Sequence, residues 1–110
     1  MIPLCYETMP AIVAYASGDV RDHLWSLYWL ARMVPCGGVI VELGVRGGDS
    51  TRALLAGCHD GGAILYGIDI ENCAHAVHHH THKIGSAVPE SWNFIHKDSL
   101  TAAHEWYSIP

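Results

Sequence analysis

VIVELGVRGGDSTRALL, residues 39 to 55, carries an apolar run, a glycine-rich turn and a helix start bearing an acidic residue. Val39, Ile40, Val41 and Leu43 lie between Gly37-Gly38 and Gly44, as in a short strand buried on both faces at the centre of a parallel sheet. Gly44, Gly47 and Gly48 let the backbone take unusual dihedrals and approach a ligand with no Cβ in the way. Asp49 or Ser50 can cap the helix that follows. The N–H groups at such a helix start favour an anion, either a carboxylate or a phosphate. The stretch therefore reads as one wall of a nucleotide-cofactor cradle.

The residue types in the turn narrow the cofactor. A P-loop needs Lys just before the Ser/Thr that opens the helix, and here Asp49 precedes Ser50, which disfavours a nucleoside triphosphate. The dinucleotide pattern G-x-G-x-x-G has Arg46 at its second glycine, where the pyrophosphate must meet bare backbone, so a dinucleotide is the runner-up. Glu42, Gly44, Gly48 and Ser50 spell E-x-G-x-x-x-G-x-S, which resembles the first motif of class I S-adenosylmethionine-dependent methyltransferases. The ligand implied by that resemblance has a carboxylate and no phosphate. Glycine turns after apolar strands also occur in α/β proteins that bind nothing there, so a purely structural turn is the competing reading.

Downstream, Ala63 to Asp69 is a second apolar run that ends in an acid roughly 25 residues after the turn, near the spacing of a ribose-binding carboxylate. Asp69 can accept both ribose hydroxyl protons, or it can cap the next helix. A third strand is expected over Trp92 to His96, followed by a turn at Lys97 to Leu100 and a helix over Ser99 to Trp106. Asp98 either contacts the adenine amino group, as the resemblance implies, or caps that helix. Upstream, Leu24, Leu27, Tyr28, Ala31 and Val34 form one apolar stripe, which predicts a packing helix from near Ser17 or Asp19 to just before Pro35. Trp25 and Trp29 lie on a neighbouring face, where they either widen the core stripe or rim a cleft.

Taken together, DVRDHLWSLYWLA at Asp19 to Ala31, VELGVRGGDSTRALL at Val41 to Leu55 and GIDIE at Gly67 to Glu71 resemble a branch of class I methyltransferases close to methyltransferase domain 24. The resemblance runs from about Asp19 to the C-terminus. It implies a Rossmann-like three-layer α/β sandwich with the first strand central, a helix after each strand, and S-adenosylmethionine across the strand C-termini. Glu42, Gly44, Gly48 and Ser50 would hold the methionine part, with Arg46 facing either solvent or the cofactor carboxylate. Asp69 and Ile70 would meet the ribose side, and Asp98 and Ser99 the adenine side. The reaction implied is direct displacement of the sulfonium methyl group, with alignment of acceptor and methyl supplying much of the rate. No catalytic residue is assigned.

At 110 residues the chain can bury one modest core, expected as a single partial domain over 1–110 with residues 1–18 as an N-terminal extension. The resemblance implies about seven strands in a complete core, and this sequence supplies three. The next strand would begin just after Ile109-Pro110, so the expectation is a cofactor-binding half rather than a complete catalyst. The first strand is then left with a bare apolar edge, open to a second copy or a complementary chain.

Half the residues are hydrophobic and the net charge is -5, which with no basic run disfavours nucleic acid as a partner. No apolar run approaches a membrane span and the N-terminus lacks a signal peptide's pattern, so a cytoplasmic protein with no membrane partner is expected. Cys5, Cys36, Cys58 and Cys73 have no C-x-x-C spacing and suit reduced, largely buried thiols. His75, His78, His79 and His82 would share one helix face, where a solvated polar surface is favoured over a metal site. A non-catalytic module, binding metal through this segment or a partner at the sheet edge, is the alternative from a different functional class.

Overall fold

Glycines bracket the first strand and fix its limits. In the computed structural model, which describes residues 5–85, 88–89 and 92–108, β1 spans Val39–Leu43, as the sequence predicts. It is followed by α3 (Asp49–Gly61), β2 (Ile64–Asp69), α4 (Ala74–Ile84), β3 (Asn93–His96) and α5 (Ser99–His104), with α1 (Met9–Tyr15) and α2 (Leu24–Met33) preceding it. The strands pair in parallel in the order β1-β2-β3, with Val41 opposite Tyr66 and Ile68 opposite Ile95. Parallel neighbours require crossovers, supplied here by α3 and α4. The result is an open α/β sheet flanked by helices, a three-stranded Rossmann-like fold.

Alternation along the strands sends one set of side chains to each face. Ile40 and Leu65 meet Ala31 of α2 and Leu54, Leu55 and Cys58 of α3 in one apolar cluster. Phe94 and Trp92 meet Val45, Cys73 and, from α4, Val77 on the same side. The α2–α3 contact is close because Gly57 and Gly61, one turn apart, face α2: a Cβ at Gly57 would collide with the Tyr28 carbonyl and come within 2.7 Å of the Ala31 Cβ. The segment expected as an N-terminal extension joins this core, since Cys5, Met9, Ile12 and Ala16 are buried with Leu24 and Tyr28.

The opposite face is thinly covered. Only α5 and the 3-10 turn after it lie there among the described residues, with Trp106 edge-on to Tyr66 at 5.7 Å. β1 stands at the sheet edge, the bare position expected of a three-stranded sheet and not the central one its apolar run suggests. One expectation is corrected, since the strand is buried on one face only: Val39, Val41 and Leu43 are 51%, 42% and 64% exposed. An apolar run encodes the capacity to be covered on both sides, and among the described residues no strand lies beyond the edge to bring the cover.

Other limits shift slightly. The helix expected from near Asp19 begins as a 3-10 turn, Asp19–His23, before α2. Trp92 and Ala63 fall just outside β3 and β2. The loop expected between Gly85 and Pro89 includes 86 and 87, which lie outside the described residues, as do 109 and 110, after which the next strand is expected. No helix among the described residues is long and apolar enough to cross a membrane.

Candidate functional site

Three strands ending at one rim bring the sequence-predicted residues together. Gly44 continues the ladder with its N–H on the Ile68 carbonyl at 2.9 Å, then turns with φ 83°. The turn closes with the Gly48 N–H on Val45 O at 3.0 Å, and Gly48, at φ 90°, opens α3. A Cβ on Gly48 would stand 2.9 Å from the Val77 side chain and 3.0 Å from Arg52, so packing as well as dihedral demands glycine. Gly44 differs: a Cβ there would meet nothing within 4 Å, so its open side faces space a ligand can enter.

Arg46 also has positive φ, 53°, and is the sole non-glycine among the described residues to do so. A left-handed conformation costs a non-glycine residue roughly 1–2 kcal/mol. Asp69 offsets this, because its Oδ2 accepts the N–H of Val45 at 2.7 Å and of Arg46 at 3.1 Å while its Oδ1 accepts that of Glu71 at 2.9 Å. These bonds, that from Glu71 first, hold the Asp69 carboxyl down at about 2. The Cys73 thiol, just before α4, also hydrogen-bonds this carboxylate.

Glu42 is buried at the end of β1 and takes the hydroxyls of Ser50 and Thr51 on its two oxygens, clamping the strand to the first turn of α3. Burial raises its pKa, against the lowering effect of the two hydroxyls, and the charge of Asp69 adds to the rise. Asp98 caps α5: it accepts the Thr101 N–H and hydroxyl, each at 2.8 Å, and the backbone bond first among these holds its carboxyl below the ordinary range. Both carboxylates thus have local structural partners beside any ligand.

Two clefts adjoin at Gly44. The first, about 480 Å³, lies between Ser17 to Val20 on one side and Gly44 to Ser50 on the other, and so takes in Arg46, Gly48 and Ser50. The second, about 310 Å³, is lined by Gly44, Asp69, Ile70, Asp98 and Ser99 among others. Of the nine residues singled out from the sequence, only Glu42 lines neither, standing behind Ser50. The charged side chains of the first cleft are Asp19, Arg46 and Asp49, with Asp49 paired to the buried Arg52 at 2.5 Å.

Sequence reading missed the residues that α1 and α4 bring to this rim. Tyr15 OH lies 2.6 Å from His80 Nδ1, and Arg52 sits 5.7 Å from the Tyr15 ring centroid. Tyr15 and His80 line a further hollow with Ser17, Gly47 and Asp49. The turn-forming Ser17-Gly18-Asp19, with Gly18 at φ 73°, is the local signal that marked a chain reversal there. His75, His78, His79 and His82 are exposed along α4, and they do not supply three donor atoms within 4.8 Å of one another. Lys83 first, then slight desolvation and the imidazoles His80, His75 and His82, keep His79 below its ordinary pKa.

No protein-family model matches the chain, and no curated protein matches it.

Proposed function

We propose that this chain is the cofactor-binding half of a class I S-adenosylmethionine-dependent methyltransferase. The observation that carries the reading is the pair of clefts meeting at Gly44 on the C-terminal rim of a parallel sheet, where open α/β sheets bind ligands. A ligand with a polar amino-acid end and a nucleoside end spans two such clefts, crossing bare backbone at Gly44. The mixed charges of the first cleft, Arg46 against Asp19 and Asp49, suit a cationic zwitterion better than a phosphate chain, which two carboxylates would repel.

In this reading Arg46 and the N–H groups of the α3 start take the methionine carboxylate, Asp19 and Asp49 face its ammonium and sulfonium charge, and Glu42 holds Ser50 in place from behind the cleft. Asp69, lining the second cleft, accepts one ribose hydroxyl, Ile70 covers the sugar, and Asp98 with Ser99 receives the adenine edge. The bound cofactor would supply an electrophilic methyl group; the acceptor and any catalytic residue stay unassigned. Isothermal calorimetry with S-adenosylmethionine and its demethylated product is the direct test. Saturable heat from the folded chain is expected, and no heat at millimolar ligand would sink the proposal.

The open edge of β1 favours a second, compatible reading, in which another polypeptide pairs with Val39–Leu43 and covers the face lined by Val41, Leu43 and Ile68. The partner is a second copy or a complementary chain bearing the acceptor elements. All four cysteines are free thiols, which agrees with a cytoplasmic setting for this binding function.

A further inference from the structure

At the end of α3 remote from the glycine turn, three side chains of different chemistry converge. Cys5 Sγ lies 3.2 Å from His59 Nδ1, which lies 3.3 Å from Asp60 Oδ1. All three donor atoms fall within 4.8 Å of one another, and no other Cys, His, Asp or Glu group among the described residues does this. Around tetrahedral zinc, with bonds of about 2.0–2.3 Å, sulfur, nitrogen and oxygen ligands stand roughly 3.3–3.6 Å apart. The two short spacings are close to the edges of such a tetrahedron.

The carboxylate is held as a ligand would be. The Asp60 side chain is wholly buried; its Oδ1 accepts the Cys5 N–H at 2.6 Å, and its Oδ2 accepts the Tyr6 N–H at 2.9 Å and the Tyr28 hydroxyl at 2.6 Å. Arg32 in turn donates to the Tyr28 oxygen at 3.0 Å. These donors fill three of about four lone-pair sites, and the remaining acceptor capacity is turned to the Cys5 thiol and the His59 ring. Outer hydrogen bonds of this kind orient metal-bound carboxylates. The Cys5 thiol and the His59 ring both turn toward the Asp60 carboxylate, so the three donor atoms converge on one point.

We propose that Cys5, His59 and Asp60 bind a zinc ion, with solvent as fourth ligand on the exposed side of the His59 ring. The mixed sulfur, nitrogen and oxygen set suits zinc rather than magnesium or calcium. On binding, the Cys5 S–H bond is replaced by a sulfur–zinc bond and the proton leaves to solvent, with no change of oxidation state. The ion fastens the 3-10 turn Cys5–Thr8 to the end of α3, two segments more than 50 residues apart in sequence. Roughly 15 Å of helix separates this site from the glycine turn, so the proposal stands or falls apart from the cofactor reading.

The test uses the full chain, stripped with chelator, and titrates zinc against a chromophoric competitor and cobalt(II) by absorption. One tight equivalent is expected, with a thiolate-to-cobalt charge-transfer band and tetrahedral d–d bands. Both should vanish in Cys5→Ser and in His59→Ala, whose ring is exposed and whose loss leaves the core packing intact. Tyr28→Phe should weaken zinc by about tenfold, through Asp60. The His78→Ala, His79→Ala, His82→Ala variant should bind as wild type does. Absence of the charge-transfer band, or binding that survives in His59→Ala and disappears in the α4 variant, overturns the proposal.

Discussion

Asp69 Oδ2 accepts the backbone N–H of Val45 at 2.7 Å, tying the tip of β2 to the turn that leaves β1. A residue read as a ribose ligand is thereby also the acceptor that holds the cradle in shape. With the Arg46 and Glu71 N–H groups it forms a three-donor anchor, so Asp69→Ala should destabilise the fold by about 1–3 kcal/mol. Its carboxyl sits at about 2 in the fold against 3.8 ordinarily, a depressed value. Its contribution is therefore complete above about pH 4 and fades as pH falls toward 2. Urea unfolding of both proteins should give a wide stability gap at pH 7 that narrows by pH 2.5.

Glu42 has the opposite sign. Its raised pKa means that the folded state disfavours its charge, so ionisation costs stability as pH rises past the ordinary carboxyl range. Glu42→Gln should match or exceed wild type in thermal stability at pH 7. Glu42→Ala should lose about 1–3 kcal/mol, because the fully buried Thr51 hydroxyl loses its acceptor.

Two glycines should separate binding from folding. Gly44→Ala adds a methyl where nothing lies within 4 Å, so it carries only the dihedral cost of about 1–2 kcal/mol and should chiefly weaken cofactor binding. Gly57→Ala drives a Cβ into the Tyr28 carbonyl and should separate α2 from α3, lowering the melting temperature sharply. Calorimetry and melting curves on the two variants should show these opposite profiles.

The bare edge of β1 should make the chain associate. Sedimentation of the wild type is expected to depend on concentration, and Val41→Lys or Leu43→Lys, on the exposed face, should return it to a monomer with an unchanged circular dichroism spectrum. Wild-type monomer at all accessible concentrations would rule out self-pairing and leave a different chain as the edge's partner.

Thiol chemistry should sort the cysteines. Burial, and for Cys5 also the charge and hydrogen bond of Asp60, push the Cys5 and Cys58 thiols up to about 11, whereas Cys36 is exposed. With chelator present, iodoacetamide at pH 8 should label Cys36 first, and peptide mass spectrometry should find Cys5 and Cys58 protected until the protein is unfolded.

The strand, turn and helix of residues 39 to 61 were legible in the sequence because their signals are local. Gly37-Gly38 and Gly44 stop the strand, and Gly48 and Gly62, both at φ 90°, bound the helix. The clustering of Gly44, Asp69 and Asp98 was legible for a related reason: in a parallel sheet every strand ends on the same side, so residues just after each strand meet. Two matters escaped periodicity. The exposure of Val39, Val41 and Leu43 depends on what lies beyond the edge, and an apolar run reads the same with or without a neighbour. Arg46 occupies a glycine-like dihedral that no pattern of side chains predicts.

The sequence by itself determined a parallel α/β sheet with a glycine cradle at its rim, since chain stiffness, glycine freedom and apolar alternation act over a few neighbouring residues. Only the tertiary structure decided how the polar atoms are shared out. It gave the Asp69 and Asp98 carboxylates to backbone donors, and it brought Cys5 to His59 and Asp60 across more than 50 residues of chain. Contacts of that range are fixed by helix packing, where Gly57 lets α2 and α3 approach and Tyr28 then reaches Asp60, and no local signal in the chain announces them.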